Sequence, residues 1–144
     1  MKIIPYQPNH FDRCMEIIQS NTPKFIDESE HSDFVDYLKR DDKIYFVLLE
    51  SNSVIACGGY GVNDAKTIAG MSWGLVHRDF HQKGFGSKLL QFRLDQIREK
   101  FPKAKIQLDT SQLTYPFFEK FGFVVKNITK DAWGEGLHKI EMVL

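Results

Sequence analysis

The period of the apolar positions changes at Gly84. From there to Phe101 the residues Leu90, Leu94, Ile97 and Phe101 recur at spacings of four, three and four, with Lys, Gln, Arg and Glu between them. That is the period of one helix face, and it predicts a long helix over 84–101, stopped by Pro102. Upstream, the unbroken run Ile44–Leu49 is too rich in aromatic and β-branched residues for a surface helix and reads as a buried strand. Ser51-Asn52-Ser53 turns into a strand over 54–62, and Asn63–Lys66 turns into another over 67–76, so three antiparallel strands form a meander.

The N-terminal part alternates differently. Lys2–Tyr6 reads as a short strand, Phe11, Cys14, Ile17 and Ile18 predict a helix over 9–20, and Phe34, Val35, Tyr37 and Leu38 predict a second near 29–40. After the long helix, Lys105–Asp109 is a strand that returns beside the strand ending at Val76, closing a right-handed βαβ unit. Pro116 suits the first turn of a short helix, Phe117–Phe121, ended by Gly122. Residues 123–129 and 137–144 form a last strand pair, and 130–136 reads as a flexible connection carrying an exposed Trp133. Gly58, Gly59, Gly61, Gly70 and Gly74 crowd the middle strands, which signals either bulges or close approach of another backbone or ligand.

Composition narrows the function classes. A chain of 144 residues suits a single domain, 1–144, able to bury roughly two-thirds of its unfolded surface. Nineteen Lys and Arg balance nineteen Asp and Glu, so no overall field draws the chain to nucleic acid. Cys14 and Cys57 stand far apart in apolar surroundings, without the paired Cys/His spacing of a zinc site, and read as buried thiols. No apolar run approaches the ~20 residues of a membrane helix. A soluble, cytoplasmic protein without a metal is expected.

The chemistry concentrates between Trp73 and Leu90. A strand ends at Val76, a polar turn follows, glycines flank Phe85, and Ser87 opens the long helix. Glycine lets main-chain N–H groups approach a ligand, and a helix N-terminus adds unpaired N–H groups and the positive end of its dipole; together they form a phosphate cradle. A P-loop would place Lys and Ser/Thr directly after the second glycine, whereas Gly86 is followed by Ser87-Lys88. A dinucleotide fingerprint would need a third glycine and a place in the first strand–helix unit. Gly84 and Gly86 serving only to cap and pack the helix is the plain alternative.

The element order, with His81-Gln82-Lys83-Gly84-Phe85-Gly86 and the aromatic Phe117-Phe118-Glu119-Lys120-Phe121-Gly122-Phe123, resembles the GNAT superfamily of acyl-CoA-dependent N-acetyltransferases over nearly the whole chain. The resemblance implies an α/β fold, a single GNAT-type domain with a mixed, mainly antiparallel sheet of about seven strands, about four helices and a central βαβ cofactor unit. It implies acetyl-CoA as co-substrate and an amine of a small molecule or peptide as acceptor. The family's pyrophosphate loop, Arg/Gln-x-x-Gly-x-Gly/Ala, falls on His81, Gln82, Lys83, Gly84, Phe85 and Gly86, with Ser87 following and histidine in the first position. By the same resemblance Leu75 and Val76 bond the pantetheine arm, the Val76 N–H faces the thioester oxygen, and Phe118 stands beside the cofactor where the family often carries an acidic tyrosine.

Acyl transfer to an amine calls for a proton acceptor and favours a proton donor for the sulfur. Tyr115 is the nearest hydroxyl to Phe118, although Pro116 holds it off the regular helix face. No carboxylate lies on the strand 67–76; Asp109 at the end of the next strand is the candidate base, with Glu28, Glu30 and His31 as further candidates and a water chain as an alternative. Phe25, Phe34, Tyr60, Trp73 and Trp133 are candidate linings of an acceptor cleft. An acyl-CoA-binding module with weak or lost catalysis, and a domain for another phosphorylated ligand, are the competing readings. A homodimer is left open.

Overall fold

Strand alternation divides the hydrophobic residues between the two faces of one sheet. The computed structural model describes residues 1–144. In chain order the elements are β1 (Lys2–Pro5), α1 (Phe11–Ser20), α2 (His31–Leu38), β2 (Ile44–Glu50), β3 (Ser53–Val62), β4 (Ile68–Val76), α3 (Phe85–Lys100), β5 (Lys105–Thr110), α4 (Tyr115–Glu119), β6 (Val124–Gly134) and β7 (Leu137–Val143). The strands lie in the order β1-β2-β3-β4-β5-β7-β6, antiparallel throughout except between β4 and β5. A parallel pair needs a crossover, and α3 is that crossover, as the sequence predicts.

On one face Ile17 and Ile18 of α1 and Phe34 of α2 pack against Tyr45, Val47 and Leu75. On the other, Leu90, Leu94 and Ile97 of α3 pack against Phe46, Ala69 and Ile106. Each such side chain contributes about 1.5–3 kcal/mol on burial, several times any helix propensity difference, so tertiary burial decides where the helices lie. Their predicted starts are tighter turns than expected. Pro8–His10 and Glu28–Glu30 are 3-10 turns leading into α1 and α2, the second opened by the Asp27 carboxylate, which accepts from the Ser29 N–H at 3.0 Å. Cys14 and Cys57 are buried free thiols, as expected, and share one core cluster.

The connection expected over 130–136 is instead mostly strand. β6 continues to Gly134, with its register to β7 slipping between Thr129 and Gly134. The reversal is confined to Glu135-Gly136, where Gly136 adopts φ +79° and its N–H bonds the Asp131 carboxylate at 2.8 Å. An edge strand exposed on both faces carries polar residues on both, so its sequence lacks the alternation that marks a half-buried strand. Trp133 is half-buried, donating from Nε1 to the Thr110 carbonyl at 2.8 Å.

The parallel pairing is brief. β4 and β5 are in register only over Ile68–Gly70 and Lys105–Gln107; beyond that β5 pairs with β7 and β4 with β3 alone. The strands part because β4 bulges. Cys57 faces Leu75 and Gly59 faces Ser72, so Trp73 and Gly74 together oppose Gly58, and Trp73 takes φ +43°. An extra residue on one strand bends it and increases its twist, opening a cleft between the ends of β4 and β5.

Candidate active site

The cleft leads to the N-terminus of α3. Gly84 is its N-cap at φ +86° and provides no side-chain cap. The first intrahelical bond runs from Lys88 N–H to the Gly84 carbonyl at 3.1 Å, so the N–H groups of Phe85, Gly86 and Ser87 have no helical acceptor. Gln82 at φ +60° makes a second left-handed position within the same loop. A Cβ placed on Gly84 would meet nothing within 4 Å, whereas one on Gly86 would come within 3.6 Å of both Phe117 and Val76. Gly86 therefore sits where helix, strand and α4 converge, and Gly84 faces open space. Free N–H groups, a helix dipole and an unfilled position suit phosphate oxygens.

His81 turns inward: its Nε2 lies 2.9 Å from the Val76 carbonyl, and its ring meets Phe25 edge-on at 5.3 Å. The same carbonyl accepts from Asn21 Nδ2 at 2.9 Å, which ties α1 to the end of β4. Gln82, Lys83 and Gly84 are exposed, with the Lys83 ammonium 5.4 Å from the Phe80 ring and Lys88 5.7 Å from Phe85.

Val76 and Leu75 are not equivalent. The His77 N–H bonds the Ile55 carbonyl at 2.8 Å; antiparallel alternation then turns Leu75 toward β3 and the peptide groups of Val76 toward the cleft. Leu75 also buries its side chain in the core. Of the pair expected to bond a pantetheine arm, Val76 has the free N–H, its carbonyl being taken by His81 and Asn21.

At the other wall, Asp109 lies one residue before the end of β5 and forms a 3.8 Å ion pair with Lys139. Partial burial raises its pKa, the Lys139 ammonium opposes that rise, and the Glu141 carboxylate adds to it. Tyr115 is the first residue of α4 and packs, half-buried, against the sheet. Phe118 is wedged edge-on between Phe117 and Phe123, with centroids 5.0 and 6.0 Å away.

The expected aromatic lining is only partly assembled. Phe34 and Tyr60 are core residues on opposite faces, because positions 34 and 60 fall on the buried sides of α2 and β3. Phe25 belongs to the loop beside His81, under Arg78 at 5.7 Å. Trp73 and Trp133 remain half-exposed, with Tyr37 6.4 Å from Trp73. The backbone of Gly134 abuts the Asp27 carboxylate, 2.4 Å from where a Cβ would stand, so the β6–β7 hairpin closes over the turn before α2. Glu28 and His31 are paired with one another at 3.8 Å, and His31 also meets the Thr22 hydroxyl at 2.7 Å. Burial raises the Glu30 pKa.

Two residues of this region escaped the sequence reading: Asn21, which looks like a helix-terminal polar residue, and Arg93, which reads as one of the polar intervals on the long helix. Arg93 follows Leu89 by four and precedes Ile97 by four, so its helical phase pointed inward.

The parallel pair of β4 and β5 thus splits toward a glycine-capped helix whose first N–H groups are free. Residues 11–123 match the acetyltransferase (GNAT) family, and the chain belongs to that family. The whole-chain fold agrees. An aminoglycoside 6'-N-acetyltransferase complexed with coenzyme A superposes with TM-score 0.80 at 14% identity, covering 100% of this chain and 96% of that one. Ard1 from Thermoplasma volcanium gives 0.82 at 18%, covering 99% and 95%. The ribosomal-protein-S18-alanine N-acetyltransferase from Escherichia coli gives 0.81 at 17%, covering 99% and 92%. No curated protein matches the chain in sequence.

Proposed function

We propose that this protein moves the acetyl group of acetyl-CoA to a primary amine of a small molecule or peptide by direct attack. The observation that carries the reading is the cleft between β4 and β5, continuous with the free N–H groups of Phe85, Gly86 and Ser87. In this reading those groups and Lys83 hold the pyrophosphate, His81 braces the loop against Val76, the Val76 N–H receives the thioester oxygen, and Phe118 packs beside the donor. Asp109, whose carboxyl is held above the ordinary aspartate range by burial, accepts the amine proton directly or through water. The Tyr115 hydroxyl is the proton source for sulfur. The amine nitrogen bonds the carbonyl carbon, the carbon–sulfur bond breaks, and sulfur leaves with the bonding pair.

The structural neighbours act on aminoglycosides, on a ribosomal protein alanine and, in one case, by name on phosphinothricin; all three are amine acceptors. Free-thiol release from acetyl-CoA across a panel of amines and N-terminal peptides tests the reading. Coenzyme A binding without thiol release on any acceptor would favour the second reading, a binding module with weak catalysis, which the apolar Phe118 supports. Absence of coenzyme A binding overturns both.

A further inference from the structure

Arg93 is the one charged side chain in the buried interior, 4% exposed in the middle of α3. Its Nε donates to the Leu89 carbonyl at 3.3 Å and its Nη1 to the Gly59 carbonyl at 3.2 Å. No carboxylate of the chain pairs with it. The guanidinium instead fills the space two glycines leave. Its central carbon lies 3.0 Å from where a Cβ on Gly58 would stand, and Nη2 lies 3.0 Å from that position on Gly74. These are the residues of the β4 bulge, Gly58 on one strand facing Trp73 and Gly74 on the other. Nη2 makes no bond within the chain, yet no side-chain nitrogen or oxygen is both sealed from solvent and unsatisfied; Nη2 keeps slight access, and the residue beside it, Gly74, is exposed.

A leucine or methionine would pack under the sheet without the cost of stripping water from a cation left unpaired. Burial lowers the Arg93 pKa, to about 10, so the charge persists at neutral pH. An unpaired, desolvated cation lying against Gly74, two residues before Val76, is arranged for negative charge that appears only during reaction.

We propose that Arg93 is a positioning residue for acyl transfer: its guanidinium props the Trp73–Gly74 bulge and sets a fixed positive charge behind the strand that faces the donor's thioester carbonyl. This rests on the reading that β4 lines the donor site. As the amine nitrogen bonds the carbonyl carbon, the π pair moves to oxygen, and the field of Arg93 favours that charge. The pair returns when the carbon–sulfur bond breaks, sulfur keeps the bonding electrons, and the amine proton passes to Asp109 or water.

The test uses the full chain and acetyl-CoA carrying ¹³C at the thioester carbonyl, so that no acceptor is needed. In the wild-type complex the carbonyl resonance is expected downfield of free acetyl-CoA. Arg93→Met and Arg93→Gln should lose more than about half of that displacement while binding coenzyme A with little change, and Arg93→Lys should retain it. A structural prop alone would alter affinity or melting temperature without sorting the carbonyl shift by charge. Equal shifts in wild type and a folded neutral variant overturn the proposal. If neither neutral variant folds, a wild-type resonance at the free position overturns it instead. Failure of the wild type to bind acetyl-CoA overturns the donor-site reading as well, and is distinguished by calorimetry with coenzyme A alone.

Discussion

Replacing Gly84 with alanine separates what the loop does for the helix from what it does for a ligand. Gly84 sits at φ +86°, where a Cβ costs about 1–2 kcal/mol; in a chain of this size that lowers the melting temperature by about 3–8 °C. The methyl meets no protein atom within 4 Å, so no packing clash adds to the strain. Gly136 provides the matched control: φ +79°, nothing within 4 Å of its Cβ, and a place in the β6–β7 turn away from α3. Both variants should therefore lose similar stability. They should differ in coenzyme A affinity, because the Gly84 methyl enters the space in front of the free N–H groups of Phe85, Gly86 and Ser87. A hydrogen bond to a charged group contributes about 1.5–3 kcal/mol, so displacing one phosphate oxygen from one donor weakens binding by about tenfold or more. Thermal denaturation and calorimetric titration with coenzyme A measure the two quantities independently. Gly84→Ala binding coenzyme A within about threefold of wild type would refute the cradle and leave the glycine as a helix cap.

Asp109→Asn should lower kcat at neutral pH with little change in the KM for acetyl-CoA, and should remove the acidic limb of the pH–rate profile; an unchanged profile would eliminate Asp109 as the base. Because the folded-state pKa of Asp109 is raised, its ionisation weakens the fold as pH rises from the ordinary aspartate pKa to the folded one. The stability of Asp109→Asn relative to wild type should accordingly be higher at pH 7 than at pH 3, apart from the lost Lys139 contact, and urea midpoints at the two pH values would show it. Tyr115→Phe should reduce turnover while leaving coenzyme A affinity unchanged, and equal turnover would remove the hydroxyl from the chemistry. Gly134→Ala should destabilise by about 1–3 kcal/mol, since its Cβ would stand 2.4 Å from the Asp27 carboxylate oxygen; an unchanged urea midpoint would show that the turn before α2 yields freely.

The geometry of the glycine loop was readable because it is local. Strand end, turn, Gly84, Gly86 and helix follow one another within about a dozen residues, and conformational demands on neighbouring residues leave a mark on neighbouring letters. The sorting of the aromatic residues into core and cleft was not. Phe34 and Tyr60 looked equivalent to Trp73 and Trp133 as aromatic residues, and only the placement of each on one face of the sheet separates core from cleft. Trp133 was misread for a related reason: the residues before it are polar because β6 is an edge strand, and its indole is held by Thr110, 23 residues away in sequence.

Hydrophobic period by itself determined the βαβ unit, the three-strand meander and the two N-terminal helices, since burying a continuous apolar face leaves each segment few alternatives. Glycine and proline positions determined where α3 begins and ends. Tertiary structure decided the rest. The extra residue in β4 parts it from β5 only because β3 and β4 are paired out of step around Gly58. Leu75 and Val76, adjacent in sequence, are assigned to core and cleft by strand alternation. Arg93 becomes a buried cation behind the bulge because two glycines, 35 and 19 residues before it, leave the same space empty from two different strands.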